Sequence, residues 1–368
     1  MATLSLDYEY PVLFSDNAGR IQYSLSDSEV IYVVISNKEY LVPVAESAGY
    51  LELSDILRAA PVPKPGTVHC SSMQALAIIT AGDADRSIST GRATVFIRVL
   101  QGGIYGKTAS EAFVLTQKNW LTLSKGSATA PRPTAQWGHE PVCFMPYQDD
   151  VGGIVTAEVY LKNVSGQPEV TILDYGGVGW DDYTIITVDA GFSVIYKALE
   201  AARFPLLDKD GIIKWRVKFK GGNYGESYES QSAWFGVIPT KSNYREFIYR
   251  NSLGCWDSVY SKGDFKVTPK YTFASFLNRN TEGQLDSQAV ETMEVSSGPL
   301  DGYREQRMWL EMLSSEEVYL VDQSGDMRLV VIEDSSPTLS QKDLNSLTFK
   351  CHYADRTVGN GTSISIEE

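Results

Sequence analysis

Histidine and cysteine are scarce in this chain: His69, His139 and His352, and Cys70, Cys143, Cys255 and Cys351, are spread over 368 residues. No CxxC occurs, so the spacing of a zinc ribbon or a disulfide scaffold is missing and the thiols read as free and buried. His69-Cys70 and Cys351-His352 do not read as a zinc site, because strand alternation puts Cys351 on an apolar face and His352 on a polar one. HExxH, the P-loop, the GxSxG elbow and a strand-borne GxGxxG are all absent. Asp83-Ala84-Asp85 and Asp208-Lys209-Asp210-Gly211 lack the spacing of a calcium loop and read as turns. No apolar run reaches the roughly 18 residues of a membrane span. Met1 to Asp7 carries neither the basic nor the apolar part of a secretion signal. Basic residues are outnumbered 32 to 46, a net charge of −14, which argues against nucleic acid or anionic lipid as a partner. The expectation is a protein without enzymatic activity, cofactor or metal, with no nucleic-acid partner and no membrane insertion, synthesised in the cytoplasm.

What is present favours strands. The aromatic set of 21 Tyr, 13 Phe and 7 Trp, with 30 Gly and 15 Pro, suits sheets and turns better than long helices. Lys214-Trp215-Arg216-Val217-Lys218-Phe219-Lys220 alternates strictly, which predicts a half-buried antiparallel strand with four cations outward. Val30–Ile35, Ala157–Leu161 and Tyr183–Val188 read as further strands.

Two blocks recur. Residues 48–63 (AGYLELSDILRAAPVP) align without a gap on residues 190–205 (AGFSVIYKALEAARFP) at an offset of 142, with identities that include Leu57/Leu199 and Pro63/Pro205. VFIRVLQGGIYGKT (95–108) resembles IKWRVKFKGGNYGES (213–227), both with Gly-Gly-x-Tyr-Gly, at an offset of 119. The first copy then holds about 23 extra residues after Pro63. The blocks predict a tandem duplication, with each Gly-Gly turning a hairpin. Ser124 to Pro141, rich in Pro, Ser, Ala and Gly, reads as an interdomain linker. The expected architecture is mainly β: a β-sandwich over residues 1–123, a linker over 124–141, a duplicate sandwich over 142–239, both of immunoglobulin or fibronectin type, and an α+β module over 240–368. In that last module Gln306–Leu313 reads as an amphipathic helix. Val318–Val321 and Met327–Ile332 read as a hairpin, and Leu347, Phe349, Cys351 and Tyr353 as one face of a strand.

Aromatics near predicted loops are the candidate ligand or partner surface: Trp120, Trp137, Trp180 and Trp234, with Tyr175, Asp181 and Asp182 in the acidic-aromatic loop from Asp174 to Tyr183. Such rings also plug the ends of sandwiches. The 23-residue insertion is the other place to look.

Four motifs carry a family resemblance. Asn119-Trp120-Leu121-Thr122 follows Gly102-Gly103, and Tyr249-Arg250-Asn251-Ser252-Leu253-Gly254-Cys255-Trp256-Asp257 fits aromatic-x-Asn-x-x-Gly-x-x-Asp. Leu53 to Leu57 and Trp309 to Leu320 complete the set. Together they resemble uncharacterised proteins encoded in Bacteroides prophages. The resemblance implies a virion component of the tail or baseplate, with other virion proteins or its own copies as partners, and supplies no catalytic residues. The alternative is a carbohydrate-binding protein that holds a host surface glycan with its loop tryptophans.

Overall fold

The computed structural model of the chain describes residues 3–6, 12–17, 20–25, 29–35, 38–42, 46–52, 57, 71–72, 75–83, 94–100, 102–105, 107, 109–116, 119–123, 125–136, 138–145, 153–162, 165–178, 186–204, 211–223, 226–237, 244–278, 281–300, 302–321, 325–335 and 345–354. They are mainly β, in several largely antiparallel sheets. The chain divides into two compact units, Met1–Ile238 with Arg250–Asp257, and Pro239–Tyr249 with Ser258–Glu368.

The first unit begins with strands β1 (Thr3–Leu6), β2 (Val12–Phe14), β3 (Arg20–Ser24), β4 (Glu29–Ile35), β5 (Lys38–Val42), β6 (Ala48–Glu52), β7 (Ser71–Ser72), β8 (Ala75–Asp83) and β9 (Thr94–Leu100). Helix α1 (Ala109–Thr116) follows. Then come β10 (Asn119–Trp120), β11 (Arg132–Thr134), β12 (Pro141–Met145), β13 (Gly153–Lys162), β14 (Pro168–Val178), β15 (Ile186–Asp189), helix α2 (Phe192–Ala201), β16 (Ile212–Asn223), β17 (Glu226–Glu229) and β18 (Ala233–Val237).

These strands build the same pattern twice. The first set gives the orders β1-β3-β6 and β2-β9-β8-β4-β5, and the second gives β10-β12-β15 and β11-β18-β16-β13-β14. In both, the short leading strand of the larger sheet runs parallel to the last strand, β2 to β9 and β11 to β18. Every other pairing of these two patterns is antiparallel. Each sheet pair closes on one core, which makes the arrangement sandwich-like. Ile21 and Tyr23 from the small sheet meet Ile31, Val33, Ile79 and Val99 from the large one. In the second copy Val142, Phe144 and Val188 meet Val155, Val159, Trp215, Val217 and Phe235. The alternation read in Lys214–Lys220 holds: Trp215, Val217 and Phe219 are fully buried, and Phe219 stacks on Phe144 with ring centroids 4.4 Å apart. The Trp215 indole N–H donates to the Ala190 carbonyl at 2.8 Å, so the ring is buried without an orphaned donor.

The strand order corrects the sequence alignment. By position in the sheet β8 corresponds to β16 and β9 to β18, so the offset of 119 matched two neighbouring strands and not two equivalent ones. The glycines also differ in use. Gly102 and Gly103 lie beyond the end of β9 and turn no hairpin, whereas Gly221 and Gly222 lie inside β16 and pair with Tyr228 and Ser227 of β17. In the other block, Ala48 and Gly49 are strand residues while Ala190 and Gly191 lead into α2. Leu57 and Leu199 fare better: each is helical and fully buried in the core of its own sandwich.

The expected linker is also corrected. Asn119–Trp120 is the first strand of the second sandwich and pairs with β12, and Arg132–Thr134 is an edge strand of its larger sheet. Proline misled the reading. Pro133 is exposed on an edge strand, where its missing N–H breaks no ladder. The expected insertion of about 23 residues falls with the offset of 119, since equivalent strands keep nearly the same displacement from β6 through β8 to β9. Ser71–Ser72, which lies in that stretch, pairs with Thr187 and Ile186, so the first sandwich's chain adds an outer strand to the second sandwich's small sheet.

The second unit is built on β19 (Arg245–Arg250), β20 (Trp256–Ser261), β21 (Phe265–Asn278), β22 (Thr281–Ser296), helix α3 (Gly302–Ser314), β23 (Val318–Val321), β24 (Met327–Ser335) and β25 (Thr348–Tyr353), ordered β20-β19-β23-β24-β25-β22-β21. Residues 250–257 of the first two strands and their connection cluster with the first unit. Met308, Trp309 and Met312 on one side of α3 are buried with Phe247, Met293, Val295 and Phe349. The predicted helix, hairpin and alternating strand are all present, with Leu347, Phe349 and Cys351 buried and Thr348 and Lys350 exposed. Burial pushes the Cys351 thiol up to about 12, and His352 faces Glu333 at 2.8 Å.

Candidate interaction surface

Two places in the first unit gather polar and aromatic side chains. The first is buried and joins two of the motifs noted in the sequence. Asn251 donates from its amide to the Leu121 carbonyl at 3.0 Å and accepts from the backbone N–H groups of Leu253 and Cys255. Gly254 has φ +76°, the left-handed turn that lets Asn251 close the loop. Asp257 accepts from the Leu123 N–H at 2.8 Å and from the Arg132 guanidinium at 2.8 Å, and Arg132 also holds Glu140 at 3.0 Å. These three charged side chains are almost wholly buried. The Ser252 carbonyl accepts from the Gly103 N–H. Asn251, Gly254 and Asp257 thus seat residues 250–257 on the segment Leu121–Leu123 that follows β10. Nearby, Asp189 accepts from the Glu140 and Gly191 N–H groups and faces His139 at 2.7 Å.

The second place is the outward face of the sheet β11-β18-β16-β13-β14. Register puts Trp234, Arg216, Glu158 and Ile172 in one row across four strands. The next row holds Gly236, Lys214, Tyr160 and Val170. The aromatic rings of Tyr160 and Trp234 lie 5.6 Å apart over the strand between them. Lys214 Nζ stands 5.2 Å and the Arg216 guanidinium 5.2 Å from the Trp234 ring centre, within cation–π range. Arg216 donates two hydrogen bonds to Glu158, which also accepts from the Tyr160 hydroxyl. Burial alone would raise the Glu158 carboxyl, but the Tyr160 and Arg216 hydrogen bonds outweigh it and hold the group below its ordinary value; the same bond holds the Tyr160 hydroxyl above its own. At the sheet edge Val170 and Ile172 are 51% and 63% exposed.

Of the expected site residues, Trp234 belongs to this face, on a strand and not a loop. Trp120 is withdrawn: it is 3% exposed, lies in the core against Phe144, and donates its indole N–H to the Gln231 carbonyl. Tyr175 lies in β14, and Trp137, Trp180, Asp181 and Asp182 fall outside the described residues. Sequence reasoning missed Tyr160, Val170 and Ile172, although the alternation of β13 and β14 carried the signal. Among the described residues no cluster of metal-ligating side chains occurs. No protein-family model matches this chain, and no curated protein matches it.

Proposed function

We propose that this chain is a non-enzymatic structural or adhesive protein, a tail or baseplate component of a phage particle, that works through protein–protein interfaces. The observation that carries the reading is the row Trp234–Arg216–Glu158–Ile172 with Tyr160 and Val170 beside it. Tryptophan, tyrosine and arginine next to exposed aliphatic side chains are the composition of interface cores. The first sandwich adds exposed Phe96 and Leu41 on its own larger sheet, at 60% and 59%. The doubled strand order supports immunoglobulin-like modules, with β1-β3-β6 as an A-B-E sheet and β9-β8-β4-β5 as G-F-C-C′. Repeated sandwiches with diverged outer faces suit an assembly protein, and the prophage resemblance of the motifs points to the particle.

A test replaces Val170 and Ile172 by aspartate in the full chain. The expected result is loss of self-association, or of binding to other particle proteins, in sedimentation experiments, with unchanged circular dichroism. A chain that sediments as a monomer at every concentration and is missing from purified particles overturns the proposal.

Glycan binding is the second reading, and it too would use Trp234. Lys214 and Arg216 already stand over that ring, so a sugar has to displace them to stack. The protein-interface reading is preferred for that reason. Quenching of tryptophan fluorescence by a host polysaccharide, lost in Trp234→Ala, would reverse the preference.

A further inference from the structure

Cys143 and Cys255 are far apart in sequence and adjacent in the first unit. Both are free and buried, and their side chains lie close enough for each to bear on the ionisation of the other. Each is fixed at the backbone. The Cys143 N–H donates to the Thr122 hydroxyl at 2.9 Å and its carbonyl accepts from the Leu121 N–H at 2.7 Å. The Cys255 N–H donates to Asn251 Oδ1 at 3.1 Å and its carbonyl accepts from the Asn251 N–H at 2.8 Å. Asn251 is itself bonded to Leu121. A chain of hydrogen bonds therefore runs from the backbone of one cysteine through Leu121 and Asn251 to the backbone of the other. Thr187 Oγ1 lies 3.5 Å from Cys143 Sγ.

We propose that Cys143 and Cys255 are the two halves of a latent disulfide that closes when the protein meets a small-molecule disulfide. The chemistry is thiol–disulfide exchange. Cys143 loses its proton and attacks one sulfur of the oxidant, which forms a mixed disulfide and releases one small thiolate. Cys255 then loses its proton and attacks Cys143 Sγ, which forms the protein disulfide and releases the second thiolate. The protein gives up two protons and two electrons, and the oxidant becomes two thiols. Roles follow from the surroundings. Burial opposes ionisation of Cys143, but hydrogen bonds from Cys255 and Thr187 favour its thiolate, whereas burial and the Cys143 contact push the Cys255 thiol well up. The bond would tether the 250–257 segment covalently to β12. A particle protein that leaves a reducing cytoplasm would gain that tether on release.

The test uses the full chain and glutathione buffers. One sample is exposed folded to oxidised glutathione, and a second is refolded from denaturant in a mixed redox buffer, so that burial of the thiols does not decide the result. Both are acid-quenched, alkylated and digested. The expected product is a peptide pair linked through Cys143 and Cys255, lighter by two hydrogens, with a raised thermal midpoint. Cys143→Ser and Cys255→Ser should each abolish the linked pair and the shift. Linkage through Cys70 or Cys351 instead, separate glutathione adducts on Cys143 and Cys255, or free thiols in the refolded sample would each overturn the proposal.

Discussion

The Arg132 guanidinium donates to an Asp257 carboxylate oxygen across 2.8 Å, between residues 125 positions apart, and neither side chain is more than 4% exposed. Asp257 also satisfies the Leu123 N–H. Removing one partner of a buried ion pair costs about 3–5 kcal/mol when the other charge is stranded; here Glu140 stays beside Arg132, so the cost falls at the low end, about 3 kcal/mol, with the Leu123 N–H orphaned as well. Asp257→Ala should therefore lower the stability of the first unit by that amount in urea titration. Arg132→Met combined with Asp257→Leu and Glu140→Leu should recover part of the loss, because all three buried charges go together. A loss below about 1 kcal/mol for the single variant, the range of exposed pairs, would show that the pair is not buried in solution.

Glu158 gives a pH prediction. Its carboxyl is held below its ordinary value of about 4.3. The folded state thus binds its proton less readily than the unfolded chain does. The stabilisation is complete above about 4.3 and is lost as pH falls through the depressed folded value. Glu158→Gln should cost about 0.5–1 kcal/mol near neutrality and should flatten the acid limb. The check is the urea midpoint of both proteins across that range. Parallel acid limbs would remove Glu158 as a contributor.

Glycines separate two kinds of constraint. Gly102 has φ +120°, and a Cβ there would stand 2.5 Å from both the Gly254 nitrogen and the Ser252 carbonyl oxygen. Gly166 also has positive φ, +73°, but open space around it. Gly166→Ala should cost only the left-handed backbone, about 1–2 kcal/mol. Gly102→Ala must also displace backbone, so its thermal midpoint should fall further. Equal losses would mean that the approach of Gly102 to residues 252–254 has no energetic weight.

Gly102 also shows where the sequence stops being legible. Strand periodicity was readable because burial of one face imposes it: Lys214–Lys220 and Leu347–Tyr353 fold as they alternate. Pairing was not readable, because it depends on partners far away in the chain. Gly-Gly lies beyond a strand in the first sandwich and inside one in the second, since glycine permits both conformations and dictates neither. Pro133 sits in a strand that composition presents as linker. Asn251, Gly254 and Asp257 stood out as a motif, but their task, seating a loop on Leu121 and Arg132, appears only once the chain is folded. The surface around Trp234 was half legible: the cations were visible, and the row that joins them to Ile172 needed the register.

The hairpin β21–β22 supports the last prediction. The two strands pair with each other from Phe265 to Asn278, but β22 pairs with β25 only over Thr292–Ser296. Among the described residues no third strand joins the distal part. A free two-stranded ribbon is marginal in water, so its distal part contributes little to the unit that holds its base. Replacing Lys270–Val290 by Asn-Gly joins Pro269 to Glu291, which already face each other, through a two-residue turn suited to strand twist. Phe265, Met293 and Val295, which pack in or against the core, are retained. The shortened protein should keep its circular dichroism and lose less than about 1 kcal/mol, the size of an ordinary point change. A loss of several kcal/mol, or failure to fold, would mean that the distal hairpin is part of the core and not an arm beyond it.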